Sequence, residues 1–112
     1  MPLTADADDI LKNPNIHLVI EVMGGEYPAY DHIAAAIAAG KHVVTANKEV
    51  MAKHGPALLR AAADKGVMLR FEASVGGGIP IIGPLLDDLA ANDISAVNAV
   101  INGTTNYMLT RM

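Results

Sequence analysis

A chain of 112 residues is one ordinary domain or a piece of a larger one, and 52% hydrophobic content is enough apolar material for a core. A formal net charge of −4 argues against a general nucleic-acid binder. The absence of cysteine excludes a disulfide frame and a thiolate metal site, which fits a reducing cytoplasm.

Residues 1–15 are polar and acidic. Asp6, Asp8 and Asp9 stand where a signal peptide would need a basic region. Asp8 or Asp9 is expected to cap a short helix through Ile10 and Leu11, ended by Pro14. Residues 16–22 form a nearly continuous apolar run, the pattern of a strand buried on both faces, and Gly24-Gly25 closes it. No apolar run reaches the roughly 18 residues needed to span a membrane.

Residues 28–39 predict a helix, with Tyr30, Ile33, Ala34 and Ile37 on one stripe. Pro28 suits its first turn and Gly40 its C-terminal stop. Residues 42–45 predict a second strand. Val50, Met51 and His54 share a face of a short helix that Gly55-Pro56 is expected to break. A new helix then buries Leu58, Leu59, Ala62 and Ala63 and ends at Gly66. Residues 67–71 predict a third strand, 81–91 a helix with Leu85, Leu86 and Leu89 inward, and 94–101 a fourth strand. Residues 102–106 turn into a last helix holding Tyr107, Met108 and Leu109. The order β-α-β-α-β has crossovers long enough for parallel strands. It is therefore half of a doubly wound α/β sheet.

Three polar clusters fall at predicted C-terminal strand ends: Met23 to Gly25, Thr45 to Lys48, and Glu72 to Ile79. Ligands of open α/β sheets bind at that edge. Each cluster also has a plain structural reading. Gly76-Gly77-Gly78 suits a turn. Lys48 reads equally as a solvated lysine, although a cation at a helix start opposes the dipole and would be explained by an anionic ligand. His17, His32, His42 and His54 share no metal-ligand spacing and read as surface or edge residues. Asp87-Asp88 is the wet face of a helix.

Three segments together resemble homoserine dehydrogenases: residues 43–48 (Val-Val-Thr-Ala-Asn-Lys), 71–82 around the three glycines, and 101–107 (Ile-Asn-Gly-Thr-Thr-Asn-Tyr). The resemblance covers residues 16–112 in order. It implies a partial Rossmann-like sheet over 1–92, running into the start of an α+β substrate-binding domain over 93–112. It implies NAD(P)-dependent interconversion of L-homoserine and L-aspartate-4-semialdehyde, in threonine, methionine and isoleucine biosynthesis. By the same resemblance, Gly24, Lys48 and Gly103 lie against NADP or NAD. Lys48 reaches the reaction site, and Gly103 and Thr104 lie beside the substrate. Glu72, Val75, Gly77 and Ile79 hold a monovalent cation, Na⁺ or K⁺. A hard cation takes oxygen ligands of that kind. A cytoplasmic homodimer or homotetramer without membrane or nucleic-acid partners is implied as well. The G-x-G-x-x-G fingerprint of the family has no counterpart in these residues. The expectation is an internal piece of a dehydrogenase, inactive and marginally stable alone. The competing readings are another amino-acid dehydrogenase of the same architecture, or a non-catalytic nucleotide-binding or dimerising module.

Overall fold

A computed structural model describes residues 3–100 and 103–112. Three strands, β1 (Leu18–Glu21), β2 (His42–Thr45) and β3 (Leu69–Arg70), form one parallel sheet in that order. Leu18 pairs with His42 and Glu21 with Thr45; Val43 pairs with Leu69. The register brings the C-terminal ends of β1 and β2 level with each other.

The crossovers are α2 (Ala29–Ala38) and α3 (Lys48–Lys65), preceded by a one-turn α1 (Asp8–Leu11). Right-handed crossovers stepping in one direction place successive helices on the same face, and α2 and α3 pack against each other. The core lies between them and the sheet. Ala29, Ile33, Ala36, Ile37, Val43 and Val50 are at most 1% exposed. The expectation that β1 is buried on both faces is corrected here. Leu18, Ile20 and Val22 are exposed, because among the described residues helices cover only one side.

Local chemistry sets the helix ends. The Asp8 amide is accepted by the Asp6 carboxylate at 2.9 Å, so neither Asp8 nor Asp9 is the cap. Gly40 and Gly66 hold φ of +73° and +67° past the ends of α2 and α3, the left-handed geometry that closes helices. The expected break at Gly55-Pro56 does not occur, and α3 runs unbroken through Pro56. Proline costs one main-chain hydrogen bond there. Val50, Gly55, Leu58 and Ala62 form a buried stripe on both sides of it, and packing carries the helix across. Leu59 and Ala63, expected inside, are exposed.

Lys41 is 5% exposed. Its Nζ donates to the carbonyls of Asn13 and Ile16, each at 2.6 Å, and ties the N-terminal segment to the start of β2.

Beyond β3 the chain changes character. A 3₁₀ turn (Glu72–Ser74) leads to a π-type turn (Pro84–Asp88) rather than the long helix expected over 81–91. Leu86 and Leu89 are exposed, not inward. The fourth strand expected over 94–101 is not formed in residues 94–100, which make no regular pairing; Ile101 lies outside the described residues. The last helix, α4 (Gly103–Arg111), forms and holds Tyr107, Met108 and Leu109, but it begins at Gly103, so residues 103–106 are helical rather than the expected turn. No described helix is long and apolar enough to cross a membrane.

Candidate functional site

All three strand-end clusters line one cleft of about 750 Å³ at the C-terminal edge of the sheet. Its lining includes Gly24 and Gly25 after β1, Asn47 and Lys48 after β2, and Ser74, Gly76, Gly77 and Ile79 after β3. That volume suits a small-molecule or cofactor site, which spans roughly 300–1,000 Å³.

The β1–β2 wall is built from buried polar side chains. Glu21 is 4% exposed and Thr45 is fully buried. The Thr45 hydroxyl donates to Glu21 Oε2 at 2.5 Å and accepts the Asn47 amide at 2.9 Å. Glu21 Oε1 accepts the Met23 amide at 2.6 Å. Asn47 is the N-cap of α3, its Oδ1 accepting from the Val50 amide at 3.1 Å. Its Nδ2 donates back to the carbonyls of Gly25 at 2.7 Å and Met23 at 3.3 Å. Lys48 follows as the first residue of α3 and is exposed on the cleft lip. Among the described residues it makes no ion pair.

Lys48 and Gly24, marked in the sequence, both line the cleft, whereas Glu21, Thr45 and Asn47 were not marked as a network. Two signals were present: an acid ending an otherwise apolar strand, and an Asn immediately before a helix.

The β3 wall is different. Glu72 turns back onto its own chain, where Oε1 accepts the Ile81 amide and, at 2.8 Å, the Ile82 amide; Oε2 accepts Gly83 at 2.8 Å. These amides, Ile81 foremost and then Gly83 and Ile82, hold its carboxyl below the ordinary 4.5. The loop they close contains Gly76 and Gly77 at φ of +71° and +63°. A Cβ on Gly76 would stand 2.8 Å from Ile81 Cδ1, so no side chain fits without displacing it.

The residues expected to hold a cation fit that task in part. Among the described bonds, the carbonyls of Val75, Gly77 and Ile79 accept no hydrogen bond and stand free as oxygen donors. Glu72 is already engaged by three amides; Oε1 accepts two of them, and Oε2, which accepts one, keeps a lone pair. No cluster of three or more metal-ligating His, Asp or Glu side chains exists among the described residues. His42 instead accepts the Met68 amide, and His54 meets Glu26 at 2.7 Å.

The cleft also fits a dinucleotide in kind. A Cβ built on Gly24, Gly25 or Gly77 meets nothing within 4 Å, so the backbone there faces open space that a ligand can approach. Among the described lining residues, Lys48 is the one cation beside it. Gly103 and Thr104 open α4, and their side-chain surroundings lie outside the described residues. Asn102 lies outside them altogether.

Beside the cleft, Glu26 joins Lys53 at 2.5 Å and His54 at 2.7 Å, and Lys53 also reaches Glu49 at 2.8 Å. Lys53 first, then His54, lowers the Glu26 pKa; Glu26 in turn raises that of Lys53. The Tyr30 and His54 rings lie 4.3 Å apart. These contacts tie the loop after β1 to the middle of α3.

A family model described as homoserine dehydrogenase, NAD binding domain, matches residues 1–72, and one described as homoserine dehydrogenase matches residues 80–112. The homoserine dehydrogenase of Synechocystis sp. is 51% identical over 98% of this chain and 25% of its own length. That of Pseudomonas aeruginosa is 46% identical over 99% of this chain and 26% of its own. The crystal structure of a homoserine dehydrogenase from Thiobacillus denitrificans superposes with a TM-score of 0.94 at 50% identity, over 99% of this chain and 26% of that one. A hyperthermophilic archaeal homoserine dehydrogenase in complex with NADPH superposes with a TM-score of 0.66 at 25% identity, over 74% of this chain and 26% of that one. The chain spans about a quarter of the length of the curated relatives it matches.

Proposed function

The chain belongs to the homoserine dehydrogenase family, and from that premise we propose that it forms the cofactor-facing part of an enzyme interconverting L-homoserine and L-aspartate-4-semialdehyde with NADP or NAD. The observation that carries this reading is the convergence of three strand-end clusters on one cleft whose lip holds Lys48, which makes no ion pair among the described residues. In this reading residues up to 92 belong to the dinucleotide part and 93–112 begin the substrate part. The setting is cytoplasmic synthesis of threonine, methionine and isoleucine, by a homodimer or homotetramer.

The residues divide the work by their chemistry. A bound nicotinamide supplies or accepts the hydride. Gly24 lets the cofactor approach the main chain closely. Lys48 offers an ammonium toward negative charge, either on the cofactor or developing on the carbonyl oxygen as hydride arrives at carbon. Gly103 and Thr104 lie beside nicotinamide and substrate. The carbonyls of Val75, Gly77 and Ile79, with Glu72, hold Na⁺ or K⁺ as a structural ion. They stiffen the junction toward residue 80.

The test is steady-state kinetics on a full-length family enzyme carrying these residues. Lys48→Ala is expected to lower kcat/KM for the semialdehyde at least about tenfold, which is about 1.4 kcal/mol of transition-state stabilisation. An unchanged kcat/KM returns Lys48 to the role of a solvated surface residue. For the ion, elemental analysis should find Na⁺ or K⁺. Stoichiometric zinc would rule the assignment out, since neither thiolate nor imidazole stands in the set.

A further inference from the structure

We propose that Asn47 is a positioning residue of the cleft, a clasp that holds the Gly24–Gly25 backbone against the start of α3 and so sets where Gly24 and Lys48 stand toward a bound dinucleotide. The inference rests on the dinucleotide reading of the cleft.

The choice of residue is the first argument. Asn, Asp, Ser and Thr cap helices about equally well, because capping needs only a side-chain oxygen. Of the four, only Asn brings an NH₂ as well. Here Oδ1 caps α3 at the Val50 amide, and Nδ2 reaches the carbonyls of Met23 and Gly25, 24 and 22 residues earlier. The partners fix the orientation of the amide group. Flipped, it would set oxygen against two carbonyls and an NH₂ against an N–H. Capping therefore explains the oxygen and leaves the NH₂ unexplained, unless the loop after β1 is what it serves.

What the loop lacks is the second argument. Gly24 and Gly25 have no side chains with which to anchor themselves, and open space lies over both. They are held instead from outside, at the carbonyls on either side of Gly24. Asn47 itself is 5% exposed, so it acts through Gly24 and its neighbour Lys48 rather than by touching the ligand. Thr45 fixes Asn47 in turn, through the main-chain amide of Asn47.

The experiment compares Asn47→Asp and Asn47→Ser in a full-length family enzyme carrying these residues. Both variants keep a capping oxygen, and both lose the NH₂ that reaches the Met23 and Gly25 carbonyls. The serine variant adds no charge beside Glu21, so it decides the matter if the aspartate variant does not fold. Amide exchange separates clasp from cap. Val50 protection should stay within about twofold, whereas the Met23 amide, held by Glu21 at 2.6 Å, should exchange about tenfold faster. The Kd for NADPH by fluorescence titration should rise about tenfold, with kcat within about threefold. Unchanged Met23 exchange and unchanged NADPH affinity in the variants would overturn the proposal, and leave the family reading intact where the wild type still turns over. Parallel loss of Val50 and Met23 protection would overturn it too, showing Asn47 to be a cap alone. Failure of the wild type to bind NADPH would instead strike the dinucleotide reading, and the proposal about NADPH positioning with it.

Discussion

The two walls of the cleft are held by different means. The β1–β2 wall stands on the core. Thr45 is fully buried, Val43 and Val50 flank it at 0% exposure, and Ile33 and Ile37 lie in the same core. Its polar side chains bond one another and the main chain across 22 to 24 residues of sequence. The β3 wall stands on main chain. One carboxylate gathers three consecutive amides, two glycines take left-handed angles, and Leu86 and Leu89 beyond them are exposed. A wall rooted in a packed core resists displacement, because interiors are close-packed and transmit strain. A wall held by a single side chain over a glycine loop has fewer independent restraints, so it is the one a ligand or ion can reshape.

The largest expected effect tests the root of the first wall. Ile37→Ala should destabilise the chain by about 2–5 kcal/mol, the range for removing a fully buried aliphatic side chain. Leu86→Ala, at 61% exposure, should change stability by no more than about 0.5 kcal/mol. Denaturant titration of both variants checks the contrast, and equal losses would erase the distinction between the walls. Next comes the polar network. Thr45→Val keeps the shape but removes the hydroxyl, leaving the Asn47 amide and one Glu21 oxygen without a partner. It should cost about 1–3 kcal/mol, the penalty for an unsatisfied buried group. Thr45→Ser should recover most of that loss.

The smallest effect is in acid. The Glu72 pKa is lower in the folded chain than its ordinary 4.5, so its contribution is fully present above that value. It is lost as pH falls through the depressed folded value. Glu72→Gln should therefore be less stable than the wild type at neutral pH, and the gap should narrow below about 4.5 and close in stronger acid. Chemical denaturation at pH 7, 4 and 2.5 reads the gap. A gap that is the same at all three would show that the carboxylate charge does not hold the loop.

Local signals made the first wall's framework legible. Apolar periodicity located α2, the run of β-branched residues located β2, and Gly40 and Gly66 marked helix stops. Strand-end clustering placed the cleft before any coordinate was known. Three features escaped for one physical reason, which is that long-range packing overrides local preference. Pro56 looks like a breaker, yet the stripe from Val50 to Ala62 carries α3 across it. Leu18 and Ile20 look doubly buried, yet both crossover helices lie on one face. Leu86 and Leu89 look like an inner helix face, yet no described element packs on them. The Glu21–Thr45–Asn47 network escaped because its partners sit on different strands. Spacing along the sequence carries no trace of such bonds. The Glu72 oxygens, expected to face a cation, have the amides of their own loop as partners.

Lys41 gives the chain a built-in reporter. Amine-acylating reagents need a free, accessible, deprotonated amine; Lys48 and Lys65 stand exposed without an ion pair among the described residues, whereas Lys12 and Lys53 are exposed but ion-paired. Lys41 is shut away with its ammonium gripped by two carbonyls. Its labelling in a mass-spectrometric footprint should therefore lag behind that of Lys48 and Lys65 and record only those moments when residues 13–16 lift off the sheet. The same grip makes Lys41 a poor target for enzymatic acetylation in the folded chain, while leaving it fully exposed to that modification during synthesis.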